Sequence, residues 1–193
     1  MSLIPQDFYF GDTQTVAKSL LGKTLHIKTG KIEQIARIVE VEAYLGIKDA
    51  ACHTFGGRQT PRVKSMYLSG GHSYVYLIYG MYNCLNIVTR TEEHPEAVLI
   101  RAVEPLPEKE KITKADLVSN GPGKLCRYFN ITREHDGVSL WKKTSSLYLT
   151  DDGFKVSAKQ IVAKPRVGVD YAGEAAAWPL RFYIADNKFV SKK

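Results

Sequence analysis

The sequence predicts one domain of mixed helix and strand in which strands dominate. Three observations predict it. Residues 71–90 hold two β-rich runs around Gly80. The first, 74–79, is aromatic and β-branched and suits a pleated, half-buried surface; the second, 84–89, completes a hairpin. Strand-like runs recur along the chain, while helical spacing appears at only two short places. Finally, 193 residues, 44% hydrophobic and 24% charged, suffice for one sizeable core. No repeat, heptad, low-complexity segment or composition break divides residues 1–193.

Asp12 or Thr13 can cap a helix through Leu21, with Val16, Leu20 and Leu21 on one face and Gly22 just past its end. Strands at 25–28 and 31–41 join at Thr29-Gly30. Alternation puts Ile38, Glu40, Glu42 and Tyr44 on one side of the second strand, and Ile35, Arg37, Val39 and Val41 on the other. Residues 45–70 show no clean period and read as a loop with one short helical turn near 49–53. So long a loop in a compact domain is usually functional, and this one carries Arg58, Arg62 and Lys64 around Thr60-Pro61. The hairpin follows, with Tyr79 and Met81 near its tip and Tyr76 and Asn86 along its shaft. Residues 97–103 form an apolar strand interrupted by Arg101 and ended by Glu104-Pro105. The Pro-, Glu- and Lys-rich stretch 106–116 reads as a solvated connection or exposed helix. Residues 119–124 open a helix that places Leu125, Tyr128 and Phe129 on one face. Short strands near 147–150, 161–167 and 180–184 complete the chain.

A net charge of +7 and a pI near 9.2 favour a polyanionic partner, nucleic acid before an anionic membrane. A surplus of solvated lysines gives the same numbers. No run of 18 apolar residues offers a membrane span, and Met-Ser-Leu-Ile-Pro at the start lacks a signal-peptide pattern. Cys52, Cys84 and Cys126 are odd in number and lack CxxC spacing, which suits buried thiols in a reducing compartment rather than disulfides or zinc.

Several constellations carry chemistry, each with a plainer competitor. Glu40 and Glu42 start about 7 Å apart on one strand face. Paired carboxylates can divide acid and base work at an anomeric carbon; a solvent-facing strand edge looks the same. Tyr67, Tyr74, Tyr76, Tyr79 and Tyr82 suit stacking on bases, or a sheet core with hydroxyls reaching water. Tyr79, beside the turn glycine, is the one expected to be exposed. Arg101 inside an apolar strand requires an anionic partner, a carboxylate or a phosphate. His53 alone reads as core or surface. Gly121-Pro122-Gly123-Lys124 could cradle a phosphate on free N–H groups, although the P-loop spacing is absent.

Taken together, Arg37-Ile-Val-Glu-Val-Glu-Ala-Tyr44-Leu-Gly46, His53 with Gly56-Gly-Arg-Gln-Thr-Pro-Arg62, and Tyr74-Val-Tyr-Leu-Ile-Tyr-Gly-Met-Tyr82 through Asn86 form an ordered set. Leu99-Ile-Arg-Ala-Val-Glu-Pro105, Gly121-Pro122 to Cys126, Arg166-Val-Gly-Val169 and Pro179-Leu-Arg-Phe-Tyr183 extend it. The set resembles the alkyladenine, or 3-methyladenine, DNA glycosylases of the mammalian alkyladenine type across nearly the whole chain. The resemblance implies an α+β single domain with a curved, mainly antiparallel sheet, a projecting hairpin and peripheral helices. It implies excision of alkylated or deaminated purines from double-stranded DNA with no metal and no organic cofactor. It assigns Glu42 as general base and Arg101 to the catalytic water and DNA backbone. Tyr44, His53 and Tyr76 become the base pocket, Asn86 the residue that disfavours a guanine 2-amino group, and Tyr79 the wedge in the vacated stack. Arg58, Thr60, Arg62, Met81 and Lys124 become DNA contacts. Val41 stands where the mammalian form has threonine, and Thr54-Phe55 where it has Ser-Arg; these departures bear on damage spectrum and phosphate grip.

The resulting expectation is a monofunctional, monomeric enzyme without membrane contact, cytoplasmic and nucleoid-associated in a prokaryote or nuclear in a eukaryote. Two other readings stay open. A basic, aromatic binding module without catalysis explains the charge but not Glu42 among the tyrosines. A hydrolase of free nucleosides explains the carboxylates but not the tip aromatic.

Overall fold

The chain enters on β1 (Ser2–Leu3), a 3-10 turn at Gln6–Phe10 and α1 (Thr13–Leu20). The computed structural model describes residues 1–107 and 113–192. Asp12 caps α1, its carboxylate accepting the Thr15 N–H at 3.0 Å. Val16, Ala17 and Leu20 are buried, and Gly22 leaves the helix with φ +85°. Next come β2 (Thr24–Thr29) and β3 (Ile32–Tyr44), paired antiparallel.

Strand β3 organises the molecule. Its first half pairs with β2 on one edge; past Ile38 that edge passes to another strand. The exchange occurs at a register irregularity between Ile38 and Val41. There the phase of the strand reverses: Ala36 and Ile38 belong to the main core, and so do Val39, Val41 and Ala43. The alternation read from sequence therefore holds for Glu40, Glu42 and Tyr44 but not for Ile38, which faces the core with Val39. An extra residue in a strand shifts every later side chain to the opposite face.

Residues 45–70 contain 3-10 turns at Gly46–Lys48, Phe55–Gly57 and Pro61–Tyr67 rather than one turn near 49–53. The Asp49 carboxylate takes the Leu45 and Ala51 N–H groups, both at 3.0 Å, and so competes with helix formation there. The hairpin follows as β4 (Ser73–Ile78) and β5 (Tyr82–Thr89), so its second strand starts two residues earlier than expected. Strand β6 (Glu96–Leu106) runs through Pro105 instead of stopping before it. Pro105 pairs with Ala36 of β3, while β5 reaches only Glu96–Leu99 on the other edge, so the missing N–H faces no ladder.

Part of the expected 106–116 connection, residues 108–112, lies outside the described residues; Lys114–Asp116 forms a 3-10 turn. Helix α2 (Pro122–Tyr128) buries Leu125, with Phe129 just beyond it, but leaves Tyr128 exposed, so the predicted three-residue face is only partly apolar. Strands β7 (Leu147–Asp151), β8 (Ile161–Lys164) and β9 (Arg181–Ile184) follow, with a 3-10 segment at Asp170–Ala177 before β9. β8 is shorter than expected because Pro165 succeeds it.

Among the described residues, nine strands make one antiparallel open sheet, an α+β arrangement. The order is β1-β7-β2-β3-β6-β5-β4, with β9 joining β3 and β8 joining β9. One register row crosses five strands: Arg181, Glu42, Leu99, Asn86 and Tyr74. Directly opposed residues share a face. Val41, Ala43, Ile100, Val98, Leu85, Ile87 and Val75 take the other face, in the core. The face bearing Glu42 is left as a floor, roofed by residues 45–70 and 165–177.

Candidate active site

A cavity of about 380 Å³ opens on that floor. Tyr44 comes from β3, Arg101 and Leu99 from β6, Asn86 from β5, Tyr76 and Ile78 from β4, His53 from the loop, and Val167 and Tyr171 from the segment before β9. The sequence-predicted residues Tyr44, His53, Tyr76, Asn86 and Arg101 thus meet at one place, with Tyr79 at its edge.

Glu42 is fully buried and does not itself form the wall. Three of the groups that hold it do. Tyr44 donates its hydroxyl to Oε2 at 2.9 Å, and Val167 its N–H to Oε1 at 2.7 Å. Arg101 Nη1 lies 3.3 Å from Oε1. The carboxylate therefore stands one side chain behind the cavity surface, on the same side of the sheet as Tyr44 and Tyr76. Burial pushes its pKa above the ordinary glutamate value, against the pull of Arg101, the Val167 N–H and the Tyr44 hydroxyl. Arg101 is the buried strand charge that required an anion; its partners are carboxylates, Glu42 and Glu40.

His53 is held by Tyr74, whose hydroxyl lies 2.9 Å from Nδ1, and meets the Tyr76 ring edge-on at 4.6 Å between centroids. Burial, with the charges of Arg62 and Arg58, lowers its pKa to about 4, so the ring is neutral at neutral pH. The Tyr44 ring packs 4.7 Å from the guanidinium of Arg166. Arg166 is locked to Asp49 through two bonds of 2.5 and 2.8 Å, with both side chains sealed from solvent. Asn86 donates its amide to the Tyr74 carbonyl at 3.1 Å.

At the hairpin tip Tyr79 is 86% exposed and Met81 66%. Tyr79 and Gly80 both have positive φ, 53° and 70°, and the Met81 N–H closes the turn on the Ile78 carbonyl at 3.2 Å. Arg62 lies 5.3 Å from the Tyr76 ring and donates to the Leu77 carbonyl at 3.3 Å. Arg58, Thr60, Arg62 and Lys124 are exposed, and none of them, nor Met81, lines the cavity. Lys124 lines a second hollow with Tyr82, Arg127 and Tyr128, which shares Pro122 with the first. Within the 121–124 stretch that could cradle a phosphate, Gly123 has a packing role. A Cβ at Gly123 would lie 3.1 Å from that of Tyr82, so the glycine lets α2 approach the start of β5, beside the hairpin turn.

Four contributors escaped the sequence. Tyr74 reads correctly as core, but its hydroxyl orients His53. The Val167 N–H, the Arg166–Asp49 clamp and Tyr171 come from far along the chain, and no local pattern joins them to Glu42. The sole signal was Arg166-Val-Gly-Val169 within the resemblance, without assigned roles.

Comparison with known proteins bears on this geometry. A family model described as methylpurine-DNA glycosylase matches residues 7–188. A Bdellovibrio bacteriovorus protein is 69% identical over 191 residues, covering 99% of this chain and 100% of its own length. One from Clostridium novyi is 45% identical with both chains fully covered, and one from Bacillus thuringiensis is 48% identical over 98% of each. All three are provisionally named 3-methyladenine DNA glycosylases. No helix among the described residues is long and apolar enough to cross a membrane.

Proposed function

The chain belongs to the methylpurine-DNA glycosylase family, and from that premise we propose that it excises alkylated or deaminated purines from duplex DNA by hydrolysing the N-glycosidic bond. The substrate class is that of 3-methyladenine, 7-methylguanine and hypoxanthine, and the product is an abasic site without strand cleavage. The observation that carries the reading is convergence: aromatic rings, a neutral histidine and a carboxylate–guanidinium pair from five separate segments meet around one cavity beside an exposed hairpin tip.

The target bond lies inside the duplex, so the nucleotide rotates out. Tyr79 fills the gap and replaces part of the lost stacking. A purine alkylated at N3 or N7 is cationic and gains about 0.5–2 kcal/mol against the faces of Tyr44 and Tyr76. Water then attacks C1′, and its proton passes to Glu42. The electrons of the broken bond neutralise the departing base. Arg101 steadies the ionised carboxylate, and the raised pKa of Glu42 makes it a better proton acceptor than an exposed glutamate. Water reaches Oε2 when the Tyr44 hydroxyl releases it, a step that the sealed resting position of Glu42 requires. Hypoxanthine leaves less readily, because it is uncharged and departs as an anion unless it is protonated, and His53, already neutral at neutral pH, is no acid for that step. The relatives are bacterial, so the expected setting is the nucleoid.

Incubation with methylated and inosine-containing duplexes, followed by analysis of the released bases, tests the reading. Glu42→Gln should keep lesion binding and lose about 10²- to 10⁴-fold in excision rate. Unaltered excision by that variant, or a borohydride-trapped protein–DNA adduct, would overturn it.

A further inference from the structure

A second carboxylate lies behind the cavity wall, and excision as described makes no use of it. Glu40 is fully buried, on the same face of β3 as Glu42. Its Oε1 accepts from Arg101 Nε at 3.2 Å and from Arg181 Nη1 at 2.8 Å. Its Oε2 accepts the Ser191 N–H at 2.6 Å. The Ser191 hydroxyl accepts from Arg101 Nη2 at 3.2 Å, and Arg181 also holds the Lys192 carbonyl at 2.7 Å. Arg101 is thus gripped at Nε and Nη2 from behind, which leaves Nη1 directed at Glu42. The two carboxylates and two guanidiniums sum to zero charge, the condition under which buried ions tolerate one another.

We propose that Glu40 is a positioning residue for excision: it fixes Arg101 against Glu42 and, by dividing its charge between Arg101 and Arg181, sets how strongly Glu42 holds a proton. This rests on Glu42 as the base. Glu40 raises the proton affinity of Glu42 in two ways, as a like charge and as a competitor for Arg101. Without the Glu40 charge, the cluster carries one net positive charge and Arg101 has Glu42 as its one carboxylate partner among the described residues, so Glu42 gives up its proton more easily. Without the Arg181 charge, Glu40 draws harder on Arg101, and Glu42 holds its proton more tightly.

Other groups that face Glu42 stay out of the way. Burial pushes Tyr44, Tyr76 and Tyr171 upward and Cys84 to about 11, while Arg166 stays charged. His53, across the cavity, titrates near 4. An acid limb in the excision rate that lies above the ordinary glutamate range therefore reports Glu42, whose pKa burial raises.

The test is single-turnover excision from a duplex carrying one 7-methylguanine, as a function of pH. Glu40→Gln should move the acid limb down by about one pH unit, and Arg181→Gln should move it up by a similar amount. General loosening of the fold cannot displace the limb in opposite directions. Should Glu40→Gln fail to fold, Ser191→Ala removes one Arg101 bond at a half-buried position. It should lower kcat about three- to tenfold with KM unchanged. Limbs that stay put, or move together, while Glu42→Gln is inactive would overturn the proposal. Full activity of Glu42→Gln would remove its premise instead, so the two failures are distinguishable.

Discussion

Tyr79 holds a left-handed backbone conformation, φ 53°, while presenting almost its whole ring to solvent. A bulky residue there stores about 1–3 kcal/mol of strain, and glycine adopts the same region freely. Fold stability does not select a tyrosine at such a position, whereas insertion into DNA gives one a use. Tyr79→Gly should therefore melt no lower than the parent protein and yet excise poorly from duplex DNA. Single-stranded substrate, with less stacking to replace, should partly escape the defect. A variant that excises from duplex at the parental rate would remove the wedge role. At this scale the sequence was informative where side chains alternate. The shared face of Glu40, Glu42 and Tyr44 follows from a period of two, and the turn glycine located the exposed ring. Hydroxyl and carboxylate partners were not readable, because a hydrogen bond such as Tyr74 to His53 depends on where the loop folds back.

Strand β3 shows how one local irregularity serves the site. Its register shift lets the strand bury Ile38 and Val39 together and then turn Glu40 and Glu42 to the opposite face. Hydropathy cannot reveal this, since both neighbours at the shift are apolar. The roof over those carboxylates depends on a second device, the sealed Asp49–Arg166 pair, which ties residues 45–70 to the segment before β9. Arg166 also donates to the Ala43 carbonyl at 3.0 Å and backs the Tyr44 ring. Asp49→Asn keeps the shape but leaves a buried guanidinium without its counter-charge, a loss of about 3–5 kcal/mol. For a chain of this length that lowers the melting temperature by roughly 6–20 °C. Excision measured well below the melt should also fall, because Tyr44 loses its backing. A melting temperature within a degree or two of the parent would show that the clamp contributes little. Asp49 and Arg166 are 117 positions apart, and neither carries a local signal of the other.

For the whole molecule, the resemblance carried the α+β class, and strand-like runs, turn glycines and two short helical stretches supplied its elements. The sequence left open which segments roof the sheet, since that is decided by contacts between distant loops. Charge was legible in amount but not in place. The structure separates it into two populations. The Glu40, Glu42, Arg101 and Arg181 charges cancel inside the protein, while Arg58, Arg62 and Lys124 stand exposed around the mouth and hairpin. Only the exposed population can displace counterions from a duplex. Affinity for a lesion duplex should then fall linearly on logarithmic axes as salt rises, with about 0.9 units of slope for each phosphate neutralised. Arg58→Ser should reduce that slope by about one and leave the rate of the bound complex unchanged. Arg62 also lies over the Tyr76 ring and braces the Leu77 carbonyl, so Arg62→Ser should reduce the slope and slow excision as well. Binding titrations across a salt series, paired with single-turnover rates, separate the two arginines. A slope unchanged in both variants would mean that the backbone path lies elsewhere on the surface.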